Sequence, residues 1–180
     1  MDRMTKRPRL ATVWLGGCSG CHMSFLDLDE RLIDLAGRVE MCASPLTDLK
    51  DFAEADITLV EGAIANHEHL EAIREIRKRT KILVSLGDCA VTGNVTAMRN
   101  ALGVDDVLNR AYKELAAVIV GIPSGNGVVP KLLARVRPVH EVVQVDYYLA
   151  GCPPSADAIH ACVMALVEGR EPAGEVKRFG

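Results

Sequence analysis

The chain has 180 residues, of which 49% are hydrophobic and 25% are charged, and its formal net charge is −3. This length suffices for one domain with a substantial core, and the slight acidic excess excludes a typical nucleic-acid surface, which concentrates Lys and Arg. No apolar segment approaches the roughly 20 residues that span a bilayer, and the start lacks the apolar core of a secretory signal. We therefore expect a cytoplasmic protein without a membrane span, in which cysteines stay reduced.

The first elements are predicted from the hydrophobic pattern as strand, helix, strand. An apolar run predicts a strand over Leu10–Leu15. The segment Met23–Ala36 carries apolar residues at helical spacing, and Gly37 is placed to end that helix. Arg38–Cys42 then predicts a short second strand.

The same alternation continues through the middle of the chain. Asp48–Ala53 predicts a helical turn, and Ile57–Val60 predicts a buried strand. Apolar residues at helical spacing predict a helix over His67–Thr80, and Lys81–Leu86 predicts the strand after it.

The second half of the chain has weaker patterns, except near its end. Thr96–Leu102 and Val104–Leu108 predict helices, and Ala116–Val120 predicts a strand. Val139–Leu149 is an extended apolar run, and a last helix is predicted over residues 153–169 because proline is favourable in a first helical turn.

Strands that alternate with helices favour an α/β fold, with a doubly wound parallel sheet and helices on both faces. We expect residues 1–9 to form a flexible or docking arm and residues 10–180 to form a single domain. The sequence contains no internal repeat or interdomain linker that would divide this domain further.

Four of the six cysteines follow apolar, strand-like runs. Cys18 and Cys21 come after two glycines at the end of the first predicted strand. Cys89 follows a Gly-Asp pair, and Cys152 lies between a glycine and two prolines. Because the carboxyl ends of parallel strands meet at one edge, where ligands bind, we expect these four thiolates to converge on one metal site.

Four thiolates can hold either a tetrahedral zinc ion or an iron–sulfur cluster. Structural zinc sites usually combine two Cys-x-x-Cys-like units, whereas here one such unit is followed by two widely separated single cysteines, which suits a larger cubane. A zinc site, and a thioredoxin-like dithiol of Cys18 and Cys21, remain alternatives. Cys42 and Cys162 are interpreted as small buried hydrophobes.

One carboxylate, Glu61, follows a predicted strand near the same edge. We interpret it as a buried, hydrogen-bonded group, with a proton relay or an interface residue as the alternative. The histidines show no metal-ligand pattern, and the sequence contains no nucleophile elbow or other complete catalytic constellation. The chain alone is therefore predicted to carry electrons, with no catalytic residues of its own.

Four ordered motifs resemble the small subunits of [NiFe] hydrogenases, and the resemblance covers most of residues 10–168. The motifs are Trp14-Leu15-Gly16-Gly17-Cys18-Ser19-Gly20-Cys21, Val60-Glu61-Gly62-Ala63-Ile64, Gly87-Asp88-Cys89-Ala90 and Gly151-Cys152-Pro153-Pro154. The resemblance implies a flavodoxin-like domain in which Cys18, Cys21, Cys89 and Cys152 bind one proximal [4Fe–4S] cluster. The flavodoxin-like fold also raises the question of bound FMN, but the sequence gives no strong sign of it.

In this family a separate large subunit carries the nickel–iron centre, where H2 is split, and electrons leave through the proximal cluster. Typical membrane-associated small subunits add a cysteine-rich C-terminal domain and a twin-arginine signal, and this sequence has neither. It therefore resembles most the small subunit of soluble, cytoplasmic NAD-reducing hydrogenases. The resemblance implies electron transfer to a diaphorase module with FMN and further iron–sulfur clusters, in the reaction H2 + NAD+ ⇌ H+ + NADH.

The cluster-bearing subunit of a complex-I-like NADH:quinone oxidoreductase is the alternative, because it resembles this chain in fold and motifs. It carries adjacent cysteines at the first ligand position. Here Cys18 and Cys21 are separated by two residues, which favours the hydrogenase interpretation.

Overall fold

The computed structural model describes residues 7–115, 117, 121–125, 127–172 and 176–177. The strands are β1 (Arg9–Trp14), β2 (Glu40–Ala43), β3 (Ala55–Glu61), β4 (Ile64–Asn66), β5 (Thr80–Leu86), β6 (Leu132–Arg137), β7 (Tyr147–Leu149) and β8 (Val176–Lys177). The α-helices are α1 (Gly20–Leu26), α2 (Arg31–Arg38), α3 (His67–Lys78), α4 (Asp88–Thr92), α5 (Asn94–Ala97), α6 (Val104–Asn109) and α7 (Ala156–Val167). Short helical turns of other types span Met98–Ala101, Arg110–Glu114 and Val139–Glu141.

The main sheet has the strand order β2-β1-β3-β5-β7-β8. All neighbouring pairs are parallel except β7 and β8. The five parallel strands thus follow the flavodoxin-like order, which confirms the predicted α/β class. The register places Trp14 opposite Glu61, Glu61 opposite Leu86, and Leu86 opposite Leu149. The carboxyl ends of four strands therefore lie in one row, and the loops that follow them start side by side.

Helices cover both faces of this sheet. On one face α1, α2 and α7 bury a cluster that includes Phe25, Leu28 and Ile159. On the other face α3 and α4 contribute Ile73 and Val91 to a second cluster. Burying each such large side chain contributes about 1.5–3 kcal/mol. The two-sided burial accounts for the high hydrophobic content, since strands covered on both faces are nearly continuous apolar runs.

The prediction of one continuous first helix is wrong. In place of one helix over Met23–Ala36, α1 and α2 are separated by a turn in which Asp29 has a φ of 51°. Asp tolerates this left-handed conformation better than most residues. Leu28, inside the turn, is only 1% exposed, so the break still buries the residue that the helical pattern placed in the core.

Two further expectations for this part of the chain are wrong. Gly37 lies inside α2 and does not end it; the extended, buried Val39 does. The segment Asp48–Ala53 has no helix. Before it, the Ser44 hydroxyl accepts a hydrogen bond from the Leu46 amide, and such local bonds compete with helix formation.

The segment between α5 and α7 departs most from the sequence-based expectation. Val139–Leu149 is not one extended run, since only β7 is a strand and a 3-10 turn begins after Pro138. Strand β6 was not predicted; it pairs antiparallel with β4 in a separate two-stranded sheet. The predicted strand Ala116–Val120 lies, apart from residue 117, outside the described residues.

The remaining elements follow the predictions closely. Strands β3 and β5 and helices α3 and α6 are confirmed, and Thr96–Leu102 is divided between α5 and a 3-10 turn. Helix α7 begins later than predicted, at Ala156, where the Ser155 hydroxyl accepts from the Ala158 amide at 3.2 Å. In the part of the chain that the structure describes, no helix is long and apolar enough to cross a membrane. The division into an arm over 1–9 and a domain over 10–180 stays a prediction.

Candidate metal centre

The four cysteines predicted to form the site line one cavity of about 80 Å³ at the carboxyl edge of the sheet. They reach it from the three segments that follow β1, β5 and β7, and each segment, together with the start of any helix that directly continues it, is called a loop below. Cys18 and Cys152 are exposed, Cys89 is half-buried and Cys21 is buried. The rest of the lining consists of Gly20, Glu61, Asp88, Gly151 and Pro153.

The first loop is set by a close backbone contact. The Gly16 amide donates to the Ala63 carbonyl at 2.9 Å, and the Ala63 amide donates back to Gly16 at 2.8 Å. A Cβ on Gly16 would lie only 2.8 Å from that Ala63 oxygen. Ser19 then adopts a φ of 63° directly before α1. The turn leaves Cys18 on the exposed loop and Cys21 in the first turn of the helix.

The second loop meets the first at Gly87. This residue has a φ of 79°, and a Cβ built on it would overlap the Cys21 sulfur. Glycine is therefore required here for two independent reasons, backbone conformation and close approach. The contact brings Cys21 against the loop that carries Cys89.

The second and third loops are joined through Asp88. Its carboxylate accepts from the Gly151 amide at 2.7 Å, and its own amide donates to the Gly151 carbonyl at 2.9 Å. Next to it, the Gly87 amide donates to the Leu149 carbonyl at 2.8 Å. These bonds join the segments that carry Cys89 and Cys152, since each cysteine is the residue directly after a bonded one, Asp88 or Gly151.

The charges of the cavity oppose thiolate formation. Burial raises the pKa of Cys21 to about 12, and the negative charge of Glu61 and the three other cysteines add to the rise. Burial also raises the pKa of Cys89, with part of the effect offset by hydrogen bonds from Thr96. Four thiolates in this space repel one another, so a cationic metal centre is the group that would let them ionise together.

Glu61 forms the inner wall and is 1% exposed. Its carboxylate accepts from the His22 amide at 2.9 Å and the Cys21 amide at 3.4 Å, and it meets the His22 ring at 2.5 Å. The other ring nitrogen lies 3.1 Å from the Thr12 hydroxyl, which lies 2.8 Å from that of Ser44. This geometry agrees with the interpretation of Glu61 as a buried, hydrogen-bonded carboxylate.

Sequence reasoning missed two residues of α5 that contact the cysteines. The Asn94 side-chain amide donates to the Cys152 sulfur at 3.4 Å. Thr96 lies against Cys89, and its hydroxyl donates to the Gly16 carbonyl at 2.9 Å. The available signal is the Gly93-Asn94 pair, which is typical of a tight turn and falls shortly after Cys89.

The two remaining cysteines lie outside the cavity lining. Cys162 lies on α7 and faces the hydrophobic core, where it is 1% exposed. Burial raises the pKa of its thiol to about 12. Cys42 is half-buried, which is less than expected for a core residue, and its thiol donates to the Leu10 carbonyl at 3.4 Å.

The donor set and its surroundings bear on the kind of group the cavity could hold. Four cysteines surround the cavity, which Gly20 and Gly151 also line, and the main chain at Gly87 approaches the Cys21 sulfur. Within the described residues, no three His, Cys, Asp or Glu side chains are grouped closely enough to hold a metal ion. Four thiolates with the main chain this close are a donor set that would fit an iron–sulfur cluster.

Comparison with known proteins identifies relatives over nearly the whole chain. Residues 18–166 match the family described as NADH ubiquinone oxidoreductase, 20 Kd subunit. The chain is 42% identical to subunit delta of the NAD-reducing hydrogenase HoxS of Cupriavidus necator, over 90% of this chain and 79% of that one. A crystal structure of an NAD+-reducing [NiFe]-hydrogenase in the H2-reduced state contains a chain with 43% identity and a TM-score of 0.90, covering 94% and 96% of the two chains.

More distant relatives share only part of their length with this chain. A subunit of the F420-non-reducing hydrogenase of Methanothermobacter marburgensis is 37% identical over 93% of this chain, and the match spans 56% of that relative. The [NiFeSe]-hydrogenase of Dm. baculatum, at 19% identity and a TM-score of 0.54, shows the common fold alone. The chain therefore belongs to the NADH ubiquinone oxidoreductase, 20 Kd subunit family and, within it, to the small subunits related to those of NAD-reducing [NiFe] hydrogenases.

Proposed function

We propose that this chain is the small electron-transfer subunit of a cytoplasmic NAD-reducing [NiFe] hydrogenase. It passes electrons between the nickel–iron site of a large subunit and a diaphorase module that carries FMN and further iron–sulfur clusters. The overall reaction is H2 + NAD+ ⇌ H+ + NADH. The observation that carries the proposal is the meeting of four cysteines from three loops around one cavity, in a chain related along most of its length to subunit delta of an NAD-reducing hydrogenase.

Cys18, Cys21, Cys89 and Cys152 would hold one [4Fe–4S] cluster, which supplies one-electron redox chemistry when bound. Gly87 leaves the space that Cys21 needs, and Asp88 holds the loops of Cys89 and Cys152 together. The buried Cys21 and Glu61 keep water from the inner wall.

Partner subunits are expected to cover the outer side of the cavity, where Cys18 and Cys152 are exposed. Apolar side chains close to the cysteines in sequence are also exposed: Trp14 (47%), Met23 (58%) and Val95 (64%). We infer that they belong to one interaction surface, since exposed apolar patches are typical of such surfaces. Their position supports a partner that seals this edge and brings a second redox centre near the cysteines.

The test is metal and sulfide analysis of the anaerobically purified complex, followed by EPR as H2 is admitted. Nickel together with iron, acid-labile sulfide and signals that change under H2 would support the proposal, and H2-dependent NAD+ reduction would then be measured. Zinc without sulfide would rule out the cluster.

The ligand assignment is tested with Cys152→Ser. We expect this change to lose or convert one cluster and to reduce H2-dependent NAD+ reduction strongly, because Cys152 lines the cavity. Cys42→Ser is the matched control, since that cysteine lies outside the cavity lining and serine keeps its donor to Leu10. Full activity and an unchanged EPR spectrum in Cys152→Ser would refute the assignment.

One observation favours a second function. The description of the matching family names a subunit of NADH ubiquinone oxidoreductase. A complex-I-like electron-transfer subunit is therefore the alternative. A native complex with iron–sulfur signals but no nickel would support it and exclude the hydrogenase function.

A further inference from the structure

Helices α4 and α5 meet at a left-handed turn shortly after Cys89 in the chain. Gly93 has a φ of 86° and Asn94 a φ of 36°. Asn is one of the few residues that adopt such values without a large steric cost. The turn is supported by Thr92, whose hydroxyl donates to the Asp88 carbonyl at 2.9 Å and lies 3.4 Å from the Asn94 amide.

This conformation directs the Asn94 side chain at a cysteine of the cavity. Its amide nitrogen, Nδ2, lies 3.4 Å from the Cys152 sulfur and donates to it. Two residues further on, the Thr96 hydroxyl donates to the Gly16 carbonyl at 2.9 Å, which ties α5 to the loop that leads to Cys18. The start of α5 thus supplies a donor to the Cys152 sulfur, although α5 itself carries no cysteine.

We propose that Asn94 is a positioning residue that raises the reduction potential of the cluster through its hydrogen bond to the Cys152 sulfur. Reduction adds one electron, and therefore one negative charge, to a centre whose ligands are already thiolates. A hydrogen bond to sulfur stabilises the more negative, reduced form more than the oxidised form. Groups just outside the ligand set tune metal sites in this way.

The inference rests on the proposed function, and two variants separate the hydrogen bond from other effects. Asn94→Gly removes the donor without changing the net charge, and glycine readily adopts the positive φ at this position. Asn94→Asp keeps the shape and the tolerance of positive φ, but replaces the donor with a negative charge. Asn109→Asp, on α6 and outside the cavity lining, introduces the same charge as a control.

The measurement is an EPR-monitored redox titration of the assembled complex, in which the cluster of this chain is identified as the signal that Cys152→Ser loses or converts. For Asn94→Gly we expect the ratio of oxidised to reduced cluster at a fixed potential to rise about tenfold, which is about 59 mV for a one-electron couple. Asn94→Asp should lower the potential further, and Asn109→Asp should leave it unchanged.

A potential in Asn94→Gly equal to that of the unmodified protein would overturn the inference, even if Asn94→Asp shifts it, because charge alone would then explain the shift. If neither variant retains a cluster, the inference is tested by a measurement on the unmodified complex. With asparagine labelled by 15N in its side chain, pulsed EPR should detect hyperfine coupling to the cluster, and its absence would overturn the inference. Iron and sulfide missing from the unmodified chain would instead refute the proposed function itself.

Discussion

Gly87 and Gly37 show how differently two glycines of one chain are constrained. Gly87 has a positive φ, and a Cβ on it would overlap the Cys21 sulfur. Gly37 lies inside α2, where a Cβ would meet nothing within 4 Å. The first glycine is thus part of the site, and the second is an ordinary helical position that alanine would suit better.

Gly87→Ala should prevent the cluster from being held, because the new methyl group would displace Cys21 and alanine disfavours the positive φ. We expect iron and acid-labile sulfide on the purified chain to fall severalfold. Gly37→Ala is the control and should keep the full metal content, with a gain in stability of up to about 1 kcal/mol. Full iron content in Gly87→Ala would show that the loop can move away without losing the site.

Glu61→Gln tests the buried carboxylate. The carboxylate accepts from two backbone amides and the His22 ring, and glutamine offers only one acceptor oxygen. Disrupting hydrogen bonds to a buried charge should lower the free energy of unfolding by about 1–3 kcal/mol, as measured by urea denaturation.

The control for this change is Glu68→Gln, on the exposed first turn of α3. Loss of the Glu68 charge should lower the free energy of unfolding by only about 0.5 kcal/mol, because an exposed carboxylate interacts weakly with the helix dipole. Equal stabilities of the two variants would mean that the Glu61 network contributes nothing beyond a surface carboxylate.

The residues of the site differ in how far the sequence reveals them. Cys18, Cys89 and Cys152 can be predicted because each follows an apolar strand, and parallel strands end at one edge. Asn94 could not be predicted, because its contact with Cys152 joins the start of α5 to a loop that is distant in sequence. Asp88 stands in a predicted motif, but its bond to Gly151 depends on the same loop packing.

At the scale of elements, periodicity predicts what faces the sheet but not where the chain turns. Strand β3 is buried along nearly all of its length, and its Ile57–Val60 segment readily predicts a strand. The break between α1 and α2 was missed because Leu28 remains buried within it, so the apolar pattern continues across the turn. Strand β6 was missed because it is half exposed and, among the residues that the structure describes, pairs only with the three-residue β4.

Asp56 joins strands at the edge of the sheet opposite the cavity. Its carboxylate accepts from the Arg9 amide at 2.7 Å and meets Lys81 at 2.6 Å. The Arg9 bond, followed by that of Lys81, lowers the pKa of Asp56 from 3.8. The folded state therefore favours the ionised form, and its contribution is present above pH 3.8 and lost as the pH falls through the lowered pKa.

Asp56→Asn should accordingly cost about 1 kcal/mol of unfolding free energy at pH 7, since one bond is to a backbone amide and the other to an exposed lysine. The difference from the unmodified chain should disappear as the pH falls below 3.8. Urea denaturation of the cluster-free chain at a series of pH values measures it. The exposed Asp51→Asn serves as control, and a pH-independent difference would argue against a role for the charge.

At the scale of the whole molecule, the core and the site are separate. The two large core clusters lie on the two faces of the sheet and between the helices. Of the four cysteines that line the cavity, only Cys21 belongs to either cluster. The loops are held by glycine contacts, by Asp88 and by the bond from Ser24 to the Pro154 carbonyl. We therefore expect most of the folding free energy to be independent of the metal centre.

Removal of the cluster by an anaerobic iron chelator should therefore loosen the loops and leave the sheet intact. We expect amide hydrogen exchange to rise by an order of magnitude or more in residues 16–22, 87–94 and 150–154, because a cluster that links three loops suppresses their local opening. Strands β1, β3 and β5 should keep their protection, and α3, which carries no cysteine, is the internal control. A uniform rise across strands and loops would contradict this separation. It would show that metal binding is coupled to folding of the entire domain, as in proteins that are unfolded without their metal.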